Sequence, residues 1–125
     1  MFTDETQVML YVADVAAAGA FWESLGFVIL EESEADGTLV LEIAPSTESN
    51  LHLVLYDLNY VQSHSPEVNI AAPSILFTAT DVLDLYQRMQ VLNVTLGEMV
   101  QLGEQLIFNF ADPEGNYFAV SGPNQ

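Results

Sequence analysis

Hydrophobic positions recur along this chain with two periods, and the order of those periods is itself repeated. Val8, Leu10 and Val12 stand at every second position, as in a strand with one buried face, and Val15, Ala18, Trp22 and Leu25 then follow helical spacing. An offset of 67 residues, applied without a gap, lays a second copy on the first. Ile75, Phe77 and Ala79 fall on the alternating run, and Val82, Leu85, Met89 and Leu92 on the helical one. Asp14 and Asp81 precede the two helical runs, where a carboxylate accepts the unpaired N–H groups of a first turn. Three strand-like runs follow each helix, best marked by Leu39 to Ala44 against Leu106 to Ala111 and by Leu51 to Leu55 against Phe118 to Gly122. Turn residues agree: Asp36-Gly37 closes one hairpin, Gly103-Glu104 its counterpart, and Asp112-Pro113-Glu114-Gly115 the last.

The pattern predicts an α+β fold of two tandem βαβββ modules, at about 5–57 and 73–123, within a single domain spanning 1–125. The stretch from Leu58 to Pro73, polar and carrying two prolines, is expected to be a connector, with residues 58–72 as the linker. Alternation also assigns faces. The apolar set of each first strand belongs beneath its helix, leaving Gln7, Met9 and Tyr11, and Ser74, Leu76 and Thr78, on the other side. That side continues through Val40, Glu42 and Ala44 to His52, Val54 and Tyr56 in one half. In the other it runs through Ile107, Asn109 and Ala111 to Tyr117, Ala119 and Ser121. A face that is partly polar but sparsely charged suits sheets curled around a cleft that takes a ligand.

Length and composition narrow the function. At 125 residues and 50% hydrophobic the chain can bury one core, and no apolar run approaches the ~18 residues of a membrane span. Met1-Phe2-Thr3-Asp4-Glu5 is acidic where an export signal would be basic, so a soluble, cytoplasmic protein with no membrane partner is expected. The absence of cysteine excludes disulfides, thiolate nucleophiles and Cys-based metal centres, and the absence of lysine excludes Schiff-base catalysis. Eighteen carboxylates face one cationic side chain, Arg88, for a net charge of −17. Nucleic acid is therefore not an expected partner, whereas a cationic small molecule would be drawn in by the field.

The string Gln7 to Asp14, followed by Phe21-Trp22 and Leu25-Gly26-Phe27, resembles the opening of glyoxalase I and its relatives, and Phe110 to Asn116 resembles the turn before that family's last strand. The resemblance, to the glyoxalase, bleomycin-resistance and dioxygenase (vicinal oxygen chelate) superfamily, covers almost the whole chain. It implies metal-ligand positions in the first and fourth strands of each module, which fall here on Gln7, His52, Ser74 and Ala119. Gln7 and His52 have donors suited to a metal; Ser74 and Ala119 replace the histidine and glutamate usual there, and an alanine methyl coordinates nothing. Half the cage is missing, so no metal and no other cofactor is expected.

The reading that follows is a metal-free small-molecule binding protein, with antibiotic sequestration as its concrete form and a homodimer as the assembly the resemblance implies. The ligand-binding candidates are Gln7, Tyr11, Glu42, His52, Tyr56, Ser74, Thr78, Asn109 and Tyr117. Tyr11, Tyr56 and Tyr117 would stack on planar groups and Glu42 would pair with a cation. Plainer readings stand beside these: Glu42 at a solvent-facing edge, His52 bonded to Gln7 across the sheet, the tyrosines in the core, and His64 as an exposed loop histidine. No serine-histidine-acid elbow is present, and no catalytic residue is assigned. The alternatives are a lyase or isomerase resembling lactoylglutathione lyase, with a divalent metal ion held partly by Gln7 and His52, and a regulatory binding module that has lost its reaction.

Overall fold

The computed structural model describes residues 1–124, which form a mixed α+β structure with two sheets and three helices. Its contacts divide the chain into two compact units, residues 1–72 and the residues from Pro73 onward. Among the described residues no helix is long and apolar enough to cross a membrane.

The first unit runs β1 (Thr6–Val12), α1 (Val15–Ser24), β2 (Val28–Ala35), β3 (Thr38–Ala44), β4 (Leu51–Asp57) and α2 (Leu58–His64). Its sheet has the order β1-β4-β3-β2, with β1 parallel to β4 and the other pairs antiparallel. A parallel neighbour needs a long connection, and α1 with the hairpin behind it supplies one. Asp14 starts α1 by accepting from the Ala17 N–H at 3.0 Å. The helix buries Val15, Ala18, Gly19 and Trp22, the predicted stripe except that Gly19 is buried with it and Leu25 is the C-terminal cap. Gly19 permits close packing, since a methyl there would meet the side chain of Leu41 on β3. Leu10, Leu41 and Leu55 form one row across the sheet on this helix-covered face. Asp36 and Gly37, both at positive φ (52° and 82°), close the β2–β3 hairpin as a two-residue turn of this kind requires.

The expected connector is not plain coil. Its first seven residues form α2, capped by the Asp57 carboxylate on the Tyr60 N–H at 2.9 Å. His64 therefore ends a helix instead of lying in a loop; its ring stacks on Tyr60 at 4.1 Å and approaches Asp36 at 3.5 Å.

The second unit runs β5 (Leu76–Thr78), α3 (Val82–Val91), β6 (Thr95–Leu96), β7 (Val100–Leu102), β8 (Gln105–Ala111) and β9 (Tyr117–Pro123). The order is β5-β9-β8-β6, with β7 also paired to β8. Asp81 caps α3 through the Asp84 N–H at 3.0 Å, as Asp14 caps α1. The counterpart of β2 is broken into β6 and β7, with Gly97-Glu98-Met99 between them; β2 itself carries a register shift between Ile29 and Glu31. The core is aromatic where that of the first unit is mainly aliphatic: Phe110 lies 5.8 Å from Phe118 and 6.5 Å from Phe77. At the last turn, Asp112, 5% exposed, accepts from the backbone N–H groups of Glu114 and Asn116 and from the Asn116 amide. Its desolvation is met in full by those donors.

Candidate functional site

Three strands of the first unit bring their polar side chains together on the face opposite α1. Register pairs Gln7 with His52 across β1 and β4, and Glu42 with Val54 across β3 and β4. Glu42 is thus diagonal to His52, a separation that long side chains span. The Glu42 carboxylate is the hub. Its Oε2 accepts from His52 Nδ1 at 2.5 Å and from the Gln7 amide at 3.3 Å. The direct His52–Gln7 bond expected from their pairing is replaced, because an ionised carboxylate is a stronger acceptor than an amide oxygen.

His52 Nε2 meets the backbone carbonyl of Ser49 at 2.9 Å. A carbonyl can only accept, and an ionised carboxylate can only accept, so the ring satisfies both neighbours when both nitrogens carry protons. The bond to Glu42 accordingly raises the His52 pKa above its ordinary 6.5; partial burial opposes this, while Ser49 and the charge of Glu5 add to it. The two side chains are 26% and 20% exposed, accessible to a ligand yet partly shielded.

Two recesses open on this face. One, of about 360 Å³, is walled by Thr3, Glu5, Thr6, Gln7, Glu42, Asn50 and His52. The other, of about 130 Å³, is walled by Gln7, Glu31, Ser33, Val40, Glu42, Val54 and Tyr56. Tyr56 has Tyr11 beside it, ring centres 6.3 Å apart and tilted by 37°. Five of the nine candidates, Gln7, Tyr11, Glu42, His52 and Tyr56, therefore share one face. Sequence reasoning passed over Ser49, Glu5, Thr3, Asn50, Glu31 and Ser33. Glu31 was accessible to it, since counting back from the Asp36-Gly37 turn sets Glu31 opposite Glu42.

The remaining four, Ser74, Thr78, Asn109 and Tyr117, belong to the second unit, all exposed; among the described residues no hydrogen bond joins them to one another. The ladder also revises one correspondence. Glu42 faces Val54 but Asn109 faces Ala119, so β9 matches β4 at an offset of 65, and the place of His52 falls to Tyr117 and not to Ala119. The cause is the hairpin: nine residues separate Ile43 from Leu53, and seven separate Phe110 from Phe118.

The donor set does not fit a bound metal ion. Both His52 nitrogens face acceptors, so a cation would have to displace Glu42 or the Ser49 carbonyl to reach an imidazole lone pair, and the Gln7 amide nitrogen is turned to donate to Glu42. Among the described residues no three His, Cys, Asp or Glu side chains gather in a metal-binding group. The same face carries aromatic rings, hydroxyls, amides and a carboxylate oxygen, Glu42 Oε1, that no donor reaches among the described residues.

Two units of like topology, each with a sheet that carries a helix on one face and a second face free of it, make a scaffold that hosts varied chemistry. The profile of the Glyoxalase/Bleomycin resistance protein/Dioxygenase superfamily matches residues 6–120, and the chain belongs to that superfamily. Among solved structures it is similar to TnmS3, an antibiotic binding protein from Streptomyces sp. CB03234, at 22% identity and a TM-score of 0.81, over 98% of this chain and 97% of that one. It is similar to a glyoxalase/bleomycin resistance protein from the same organism at 23% identity and 0.74, over 93% and 97% of the two chains. A lactoylglutathione lyase from Agrobacterium tumefaciens matches at 19% identity and 0.72, over 94% and 91%. No curated protein matches the chain in sequence. At such identities the likeness is one of fold.

Proposed function

We propose that the protein binds a small organic molecule on the open face of the first unit's sheet, without a metal ion and without transforming it. Sequestration of an antibiotic with cationic character is the concrete form of this reading. The observation that carries it is the engagement of both His52 ring nitrogens, by Glu42 and by the Ser49 carbonyl. A lyase of the lactoylglutathione type would need an imidazole lone pair directed at a metal, and His52 would have to give up one of these bonds to supply it. Superfamily membership and the fold shared with a protein named for antibiotic binding support the choice of ligand class. The net charge of −17 favours cations among the candidates.

The test is a thermal-shift screen with cationic glycopeptides and other drugs, alongside calorimetric titration with zinc and nickel. A ligand at a hundred times its Kd stabilises the fold by about 2.7 kcal/mol, and salt should weaken a cationic one. The expected result is a salt-sensitive hit and no stoichiometric metal uptake. Stoichiometric uptake that His52→Ala abolishes, together with lyase turnover, would reverse the reading. The homodimer implied by the resemblance is checked by light scattering on the same samples.

A further inference from the structure

We infer that Glu42 Oε1 is the anchoring acceptor for a ligand that straddles both recesses and carries a secondary ammonium between two arms, with a flat ring on the arm beside Tyr56, an inference that rests on the binding function proposed above. The recesses share two wall residues, Gln7 and Glu42, and so meet at that pair. Gln7 and His52 both donate to Oε2, which fixes the carboxylate from one side. Among the described residues no donor reaches Oε1, so it is the acceptor left for a guest at the junction.

Size then constrains the guest. Ligand pockets usually measure about 300 to 1,000 Å³. The recess beside Tyr56, at about 130 Å³, falls below that range and admits one ring or a short chain. The recess toward Asn50, at about 360 Å³, only reaches its lower end. A molecule too long for the recess toward Asn50 extends from it into the smaller one, and its middle then passes Glu42. An N–H on a cationic nitrogen at that point gives the short, charge-assisted bond that a carboxylate favours over any neutral donor. Tyr56 offers its ring to the end in the smaller recess.

Dibenzylammonium, with one ring on each side of a central cationic nitrogen, is the probe, and benzylammonium is its half-length control. Backbone amide NMR of the full chain should show dibenzylammonium perturbing Asn50 and Ser33 together, and benzylammonium only one of them. Glu42→Gln should weaken dibenzylammonium by about tenfold or more, the loss expected for a charge-assisted bond. Glu34→Gln removes an equal charge from an exposed position outside both recess walls and should change affinity by less than about twofold. If Glu42→Gln does not fold, Glu42→Asp, which retracts the carboxylate by one methylene, carries the same expectation. Perturbation confined to one recess, or equal effects of the two glutamate variants, overturns the inference. So does the absence of any perturbation at millimolar probe, while a hit of another shape in the thermal screen would leave the broader binding function standing.

Discussion

The two units use the same backbone plan and present opposite chemistry on their second faces. In the first, Gln7, Glu42 and His52 interlock around one carboxylate oxygen. In the second, the corresponding positions hold Ser74, just ahead of β5, with Asn109 on β8 and Tyr117 on β9, no carboxylate or imidazole among them, and Leu76 and Val100 are exposed at 56% and 45%. A duplicated fold thus copies strand order, helix caps and turns without copying donors. The charged side chains of the second face cluster in the first unit, while the same strands of the second unit present neutral and apolar ones there. Helix-to-sheet packing differs too: α1 approaches its sheet through a glycine on the helix, and β9 approaches the start of α3 through a glycine on the strand.

This contrast can be broken most severely at the close approaches. A methyl at Gly122 would overlap the backbone carbonyl of Ala79, which cannot swing aside, so Gly122→Ala should cost about 3 kcal/mol in chemical denaturation. The caps should behave alike if the duplicated plan is real. Asp14→Ala and Asp81→Ala should each cost about 1 kcal/mol, within error of one another. Gly19→Ala should be milder than either. The methyl there meets the movable end of Leu41, and alanine in a helix interior recovers up to about 1 kcal/mol of propensity. A Gly19→Ala variant as damaged as Gly122→Ala would show that the two packing modes are not different in kind.

The subtlest distinction is a pH dependence confined to the first unit. Glu42 raises the His52 pKa above 6.5, so the stabilisation from this pair is fully present below 6.5 and is lost as pH rises through the raised value. The difference in thermal midpoint between the native chain and His52→Gln should shrink across that window. A constant difference would mean that His52 is not charged in the folded chain.

Most of the fold was legible because period and capping are local signals. Asp14 and Asp81 marked both long helices, and the 67-residue offset placed α3 and β8 residue for residue on α1 and β3. The register of β9 was not legible. A two-residue slide keeps every side chain on the same face, so alternation cannot tell an offset of 65 from one of 67. Only the shorter hairpin after β8 distinguishes them. Helix α2 was hidden for another reason: seven residues with Leu58 and Val61 as their apolar spacing are too few to form a helix without tertiary contacts, although Asp57 signalled its start. At the site, composition pointed to Glu42 and His52, but their bond is diagonal across the ladder, and neither the carbonyl of Ser49 nor the orientation of Gln7 leaves a trace in residue types.

The nitrogen-15 resonances of the His52 ring, assigned by their loss in His52→Gln, test the account at its centre. Both nitrogens should remain protonated above pH 6.5, lose a proton at lower pH in Glu42→Gln than in the native chain, and stay unmoved when zinc is added. A neutral ring at that pH, or a nitrogen shifted by zinc, would return the first unit's face to metal chemistry and contradict the account.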